Sequence, residues 1–167
     1  MPNLETGLPA RDPARPASRG SGSRLIPLKW LACAAGLHLV WEIAQLPLFT
    51  LWHEAPPTVI AWAVIHCTGG DILIAAATYA IGSLVAHDLA WPANSPRIRP
   101  LAALIVSGVG YTFYSEWRNV YVLGAWAYTP SMPTVFDIGL SPLAQWIFVP
   151  LATTILAAVL HRQPWRS

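Results

Sequence analysis

Charged side chains are scarce in this chain. Asp, Glu, Lys and Arg make up 11% of its 167 residues, ten basic and eight acidic, where a soluble domain carries roughly 25%. So few charges cannot cover a water-facing surface of this size, which excludes an ordinary soluble enzyme and a solvated, disordered chain. The same scarcity argues against a nucleic-acid binder, while the net charge of +2 says little without its distribution. Cysteine is nearly absent. Cys33 and Cys67 give no disulfide framework. The motifs of nucleophilic, phosphate and zinc-protease chemistry are missing too: there is no G-x-S-x-G, C-x-x-C, P-loop, H-E-x-x-H or repeated E-x-x-H. No internal repeat points to an inverted-repeat transporter built from one chain.

What the chain has instead is apolar length. Hydrophobic residues make up 54% and the mean hydropathy is +0.46. Four stretches, Leu28–Trp52, Val59–Val85, Leu101–Leu123 and Pro142–Leu160, each approach the roughly 20 residues that span a bilayer. Proline and glycine breakers separate them. The sequence therefore predicts an all-α integral membrane bundle of four transmembrane helices. Residues 25–162 form its membrane domain, and a long outer loop joins the third and fourth spans. Residues 1–24 (including PARPASRGSGSR) and 163–167 read as cytoplasmic tails, the first of them disordered. The first apolar stretch is too long for a signal-peptide core and reads as a retained signal-anchor.

Basic residues orient this bundle. With the N-terminus inside, nine of the ten basic residues fall on the cytoplasmic side and only Arg118 lies outside, a strong positive-inside bias. Both termini are then cytoplasmic. Tryptophans fall mainly at the ends of the spans: Trp30, Trp91 and Trp165 inside, and Trp52, Trp62, Trp117, Trp126 and Trp146 outside. They are expected to form aromatic belts against the lipid bilayer, with Trp41, deep in the first span, as the exception.

Placing the charges leaves a few ionisable groups within the spans, where they are functional candidates by default. His38, Glu42 and Gln45 share one face of the first span in HLVWEIAQ. Asp71 lines up with Cys67, Ala75, Thr78 and Gly82 on the second. His66, five residues before Asp71, falls about 140° away on a regular helix, with Trp62. Gly108, Thr112 and Glu116 recur at intervals of four on the third span, followed by Arg118, and Gln145 opens the fourth, where Ser141 reads as an N-cap. At about 1.5 Å per residue these groups cluster in the outer half of the membrane. The expectation is a periplasm-facing intramembrane polar pocket built from His38, Glu42, Gln45, His66, Asp71, Glu116, Arg118 and Gln145. The aromatic, proline-rich connection from Gly124 to Ser141 is expected to cap it.

Several functions suit such a pocket. It could bind or conduct a small solute or ion, with proton coupling through its Glu and His groups. His38, Glu42, His66, Asp71 and Glu116 also offer imidazole and carboxylate ligands for a divalent metal such as zinc, iron or manganese. A metal-dependent or acid–base membrane enzyme acting on a lipid-like substrate is an alternative, as is an accessory subunit of a membrane complex. The plainest reading pairs Glu42 with His38 or another polar partner, and Glu116 with Arg118, to hold the helices together. One chain makes a thin wall for a solute path, so conduction implies a homo-oligomer.

The segments HLVWEIAQLPLFTLW, HCTGGDILIAA, YTFYSEWRNV, WAYTPSMP and GLSPLAQWIFVP resemble a group of small, four-span bacterial inner-membrane proteins that carry no assigned activity. The resemblance covers most of the chain after the tail. It implies a multi-pass protein of the bacterial inner membrane and brings no catalytic or binding residue with it.

Overall fold

A computed structural model describes residues 25–94 and 97–162, so both predicted tails lie outside the described residues. The chain is mostly helical. Helix α1 (Ile26–Gln45) has proline in its first turn, where the missing N–H costs nothing. It ends before Pro47 in a 3-10 turn, Leu46–Leu48, and a short helix α2 (Leu51–Glu54) follows. Pro56, extended, and Pro57 open the 30-residue helix α3 (Pro57–Ala86). His87 stops it in the left-handed conformation at φ 53°. Its N–H bonds the Leu84 carbonyl, and Asp88 N–H bonds that of Ser83. Helix α4 (Trp91–Asn94) is a single turn. Helix α5 (Ile98–Trp117) runs on into a π-helical turn, Arg118–Val122. Strands β1 (Thr134–Val135) and β2 (Ile138–Gly139) form a minimal antiparallel hairpin, and helix α6 (Leu140–Arg162) completes the described chain.

Two predicted boundaries are corrected. The first apolar stretch is not one helix to Trp52, because Pro47 ends α1 near Gln45. Ser141 lies inside α6, and its hydroxyl reaches Gln45 instead of capping the helix.

The four long helices alternate in direction. Trp30 meets Thr154, His38 meets Gln145 and Gln45 meets Ser141, so α1 and α6 are antiparallel. Trp30 against Tyr79 and His38 beside Asp71 set α1 antiparallel to α3. Helix α5 lies between α3 and α6. A Cβ on Gly82 would be 3.1 Å from the Pro100 carbonyl, and one on Gly108 would clash with the Trp146 ring.

The distribution of polarity is the reverse of a soluble protein's. The buried set includes His38, Gln45, Thr112, Glu116 and Gln145, while Leu28, Val40, Ile65, Leu84, Val106 and Ile155 are exposed. Apolar surface on this scale calls for a membrane environment. Among the described residues three helical segments, Ile26–Leu48, Pro57–Ala86 and Leu140–Val159, are long and apolar enough to cross one. Helix α5 has the length, but it carries Arg99 and Glu116 near its ends and hydroxyl side chains between them.

In lipid, apolar burial does not drive helices together, so close packing must do so. Here small residues receive aromatic rings. Trp30, Trp91 and Trp146 are each 1% exposed, in one cluster with Ala34, Ala75, Tyr79 and Leu104. These three tryptophans are therefore core residues and not belt anchors. Trp52, Trp62 and Trp117 are exposed, and Trp41 stacks on Phe148 of α6 at 6.2 Å.

Candidate functional site

The stripes read from helical periodicity converge at one place. His38, Glu42 and Gln45 of α1, Asp71 of α3 and Gln145 of α6 form a single hydrogen-bonded cluster around the Gln145 amide. Its Nε2 lies 2.8 Å from His38 Nδ1, 2.9 Å from Asp71 Oδ2 and 3.1 Å from Glu42 Oε1. An amide nitrogen carries two hydrogens, so it cannot serve all three acceptors at once. Gln45 adds a donor, with Nε2 at 2.8 Å from Glu42 Oε1, and its own Oε1 accepts from Ser141 Oγ at 2.9 Å. His38 Nδ1 stands 3.5 Å from Asp71 Oδ2. Where Gln145 donates to Nδ1, the imidazole carries its proton on Nε2. That atom is buried without a partner among the described residues, on a ring 5.0 Å from Trp146.

Glu116 forms the second part of the site. Its Oε2 accepts from Tyr128 Oη at 2.6 Å and from Trp126 Nε1 at 3.4 Å. Both donors come from the connection between α5 and α6. That segment runs as a strap over the break between α1 and α2. Thr50 N–H donates to the Ala127 carbonyl, Thr129 N–H donates to that of Leu48, and Phe49 faces Tyr128 across an isolated β-bridge. Gly139 lets the strap close, since a Cβ there would sit 3.0 Å from the Tyr128 ring. Burial, and then the hydrogen bond to Glu116, hold the Tyr128 phenol above its usual range.

Glu42, Gln45, Asp71 and Gln145 of the cluster, with Glu116, border one cavity of about 590 Å3, which His38 does not line, within the roughly 300–1,000 Å3 of small-molecule sites. Glu42, Gln45, Asp71, Glu116 and Gln145 are its polar wall, and Trp62, Tyr111, Trp126 and Trp146 its aromatic one. No lysine or arginine lines it among the described residues.

Two predicted site residues stand apart. His66 is exposed on α3, against Trp62 at 6.0 Å. It borders the cavity without joining the cluster, as its angular offset from Asp71 dictates. Arg118 is exposed at the start of the π turn and does not pair with Glu116, whose partners are Tyr128 and Trp126. The predicted metal ligands His38, Glu42, His66, Asp71 and Glu116 do not gather as a set. Among the described residues no three His, Cys, Asp or Glu side chains come together to hold a metal ion. Cys33 and Cys67 are free thiols.

Sequence reasoning missed Tyr128, Trp126 and Ser141 as partners of the site. The aromatic content of WAYTPSMP marked the strap as a cap, but no periodicity there could indicate which ring meets Glu116. Set against known protein families, curated proteins and solved structures, the chain matches none.

Proposed function

We propose that this chain is a four-span membrane protein whose acidic intramembrane cavity binds a small organic cation. The observation that carries the reading is the charge balance of the cavity. Three carboxyl groups border one space, and neither lysine nor arginine lines it among the described residues. Carboxylates within a bilayer are stable only when paired or neutralised. An ammonium group would relieve the imbalance. Trp62, Tyr111 and Trp126 add ring faces of the kind that attract cations.

The fourth span in this reading is α5, whose inner face of Leu104, Gly108, Thr112 and Glu116 is buried. The excess of basic residues at one end of the bundle supports a cytoplasmic position for that end and a cavity toward the opposite side, the periplasm in the bacterial inner membrane that the sequence resemblance implies.

Calorimetric titration of the full chain in phosphatidylcholine nanodiscs with butylammonium and tetraethylammonium tests this reading. Saturable binding is expected for at least one of them. Glu42→Gln should weaken it about tenfold or more, equivalent to about 1.4 kcal/mol. Absence of saturable binding by the unmodified chain would refute the proposal.

A further inference from the structure

The cavity has an unusual outline. Its end is covered, because Phe49, Leu51 and Trp126 line it and the segments around them are tied together by the Thr50–Ala127 and Thr129–Leu48 hydrogen bonds. Its side is uncovered. The lining residues Trp62, Leu73 and Tyr111 are 66%, 72% and 51% exposed, and all three stand on α3 or α5. Lining residues on α3 run from Val59 to Ile74, about 22 Å of helix, which is more than half of a roughly 30 Å hydrocarbon core. The gap between α3 and α5 thus faces lipid along the depth of the polar wall.

A second observation points to an occupant. Thr112 lines this cavity, is 6% exposed, and its hydroxyl has no hydrogen-bond partner among the described residues. Some hydroxyls in these helices bond back to their own backbone, Ser107 Oγ to the Ala103 carbonyl at 2.7 Å and Thr153 Oγ1 to that of Val149 at 2.8 Å, while those of Thr68 and Ser83 on α3 are buried without a partner among the described residues. Unlike Thr68 and Ser83, Thr112 lines the cavity, on the same helix face as Glu116.

We infer that the site takes a phosphate-free alkyl amine, whose ammonium sits among Glu42, Asp71, Glu116 and Thr112 and whose chain leaves through the gap between α3 and α5 into the bilayer. This rests on the cation reading above and adds the chain and its path. The acceptor-rich wall selects a head that donates hydrogen bonds and carries positive charge. The same wall repels a phosphate, for which no basic side chain is present. The exposed apolar rim of Trp62, Leu73 and Tyr111 suits an alkyl chain, and the covered end disfavours approach from water.

Native mass spectrometry of the full chain released from maltoside micelles tests the inference with four probes: dodecylammonium, butylammonium, dodecanoate and lysophosphatidylethanolamine. One dodecylammonium per chain is expected, held at least about tenfold more tightly than butylammonium, with dodecanoate and lysophosphatidylethanolamine weaker still. Gly70 lines the cavity, and a Cβ built there meets nothing within 4 Å, so Gly70→Leu narrows the gap without displacing neighbours. It should weaken dodecylammonium about tenfold and butylammonium less than about threefold. Gly69→Leu, equally free of neighbours but outside the lining, should change neither. Thr112→Val should weaken both amines about threefold.

Equal affinity for the two amines would overturn the chain path and leave the cation reading standing. Binding of neither amine would overturn both. Dodecanoate or lysophosphatidylethanolamine binding as tightly as dodecylammonium would overturn the proposed head group.

Discussion

The two ends of the helical body are built from the same four long helices and have opposite character. At the end near Trp30 and Trp91, α3 and α5 close to a Cβ distance: a methyl group on Gly82 would lie 3.1 Å from the Pro100 carbonyl and 3.2 Å from the Trp91 ring. The turn beyond α3 is tied down as well, with Tyr79 Oη on the Leu89 carbonyl at 2.6 Å and Arg97 on that of Ala86 at 3.3 Å. At the other end the same two helices border a cavity, and the contacts across the protein are between polar side chains. Small residues facing large rings let helices in a membrane approach closely. Acceptors facing too few donors leave space that must be filled from outside. Stability should therefore depend on the first end and ligand affinity on the second.

The largest expected effect breaks this division at its boundary, where Gly108 receives the Trp146 ring. Gly108→Leu should displace that ring and destabilise the protein by about 3 kcal/mol or prevent folding, measured as loss of helicity in a denaturing-detergent titration. Gln145→Leu should cost less, about 1–2 kcal/mol in the same titration, because it strips the amide from His38, Glu42 and Asp71 together. A Gln145→Leu protein as stable as the parent would show that the cluster does not hold the helices together.

Tyr128→Phe should cost about 1 kcal/mol and act locally, raising hydrogen exchange of residues 125–129 while the helices keep theirs. The same contact predicts a pH effect. Folding holds the Tyr128 phenol protonated above its usual range, so the stability it contributes is fully present below about pH 10 and is lost as the pH rises beyond that value. Tyr128→Phe should abolish that alkaline component. The smallest effect on stability should come from Thr112→Val, less than about 0.5 kcal/mol, since its hydroxyl serves no protein group among the described residues. Its measurable consequence should be weaker amine binding, the sharpest contrast with Gly108→Leu one turn away.

Much of the cluster was legible because helical periodicity is a local property. His38, Glu42 and Gln45 share a face whatever the rest of the chain does, and Gly108, Thr112 and Glu116 do likewise. The offset of His66 from Asp71 was legible for the same reason. The tryptophans were not. A ring near the end of an apolar helix has the same sequence context whether it anchors at a headgroup or fills a core. Trp30, Trp91 and Trp146 are distinguished only by the small residues that face them, Gly108 beneath Trp146 and Gly82 beside Trp91, and those lie on other helices. The clasp of Glu116 by Tyr128 and Trp126 joins a helix to an irregular segment, where no period exists to align them. Arg118 looked like the partner of Glu116 by proximity in sequence, but the π turn that begins at Arg118 carries it to the exposed side.

The amide of Gln145 has a consequence of its own. With two hydrogens and three nearby acceptors, it can serve His38 and Asp71 together only because Gln45 supplies Glu42. The two glutamines, on α1 and α6, thus divide the acceptors of three helices between them. Removing either amide hands its acceptor to the other, so the two positions are coupled although they lie 100 residues apart in the chain.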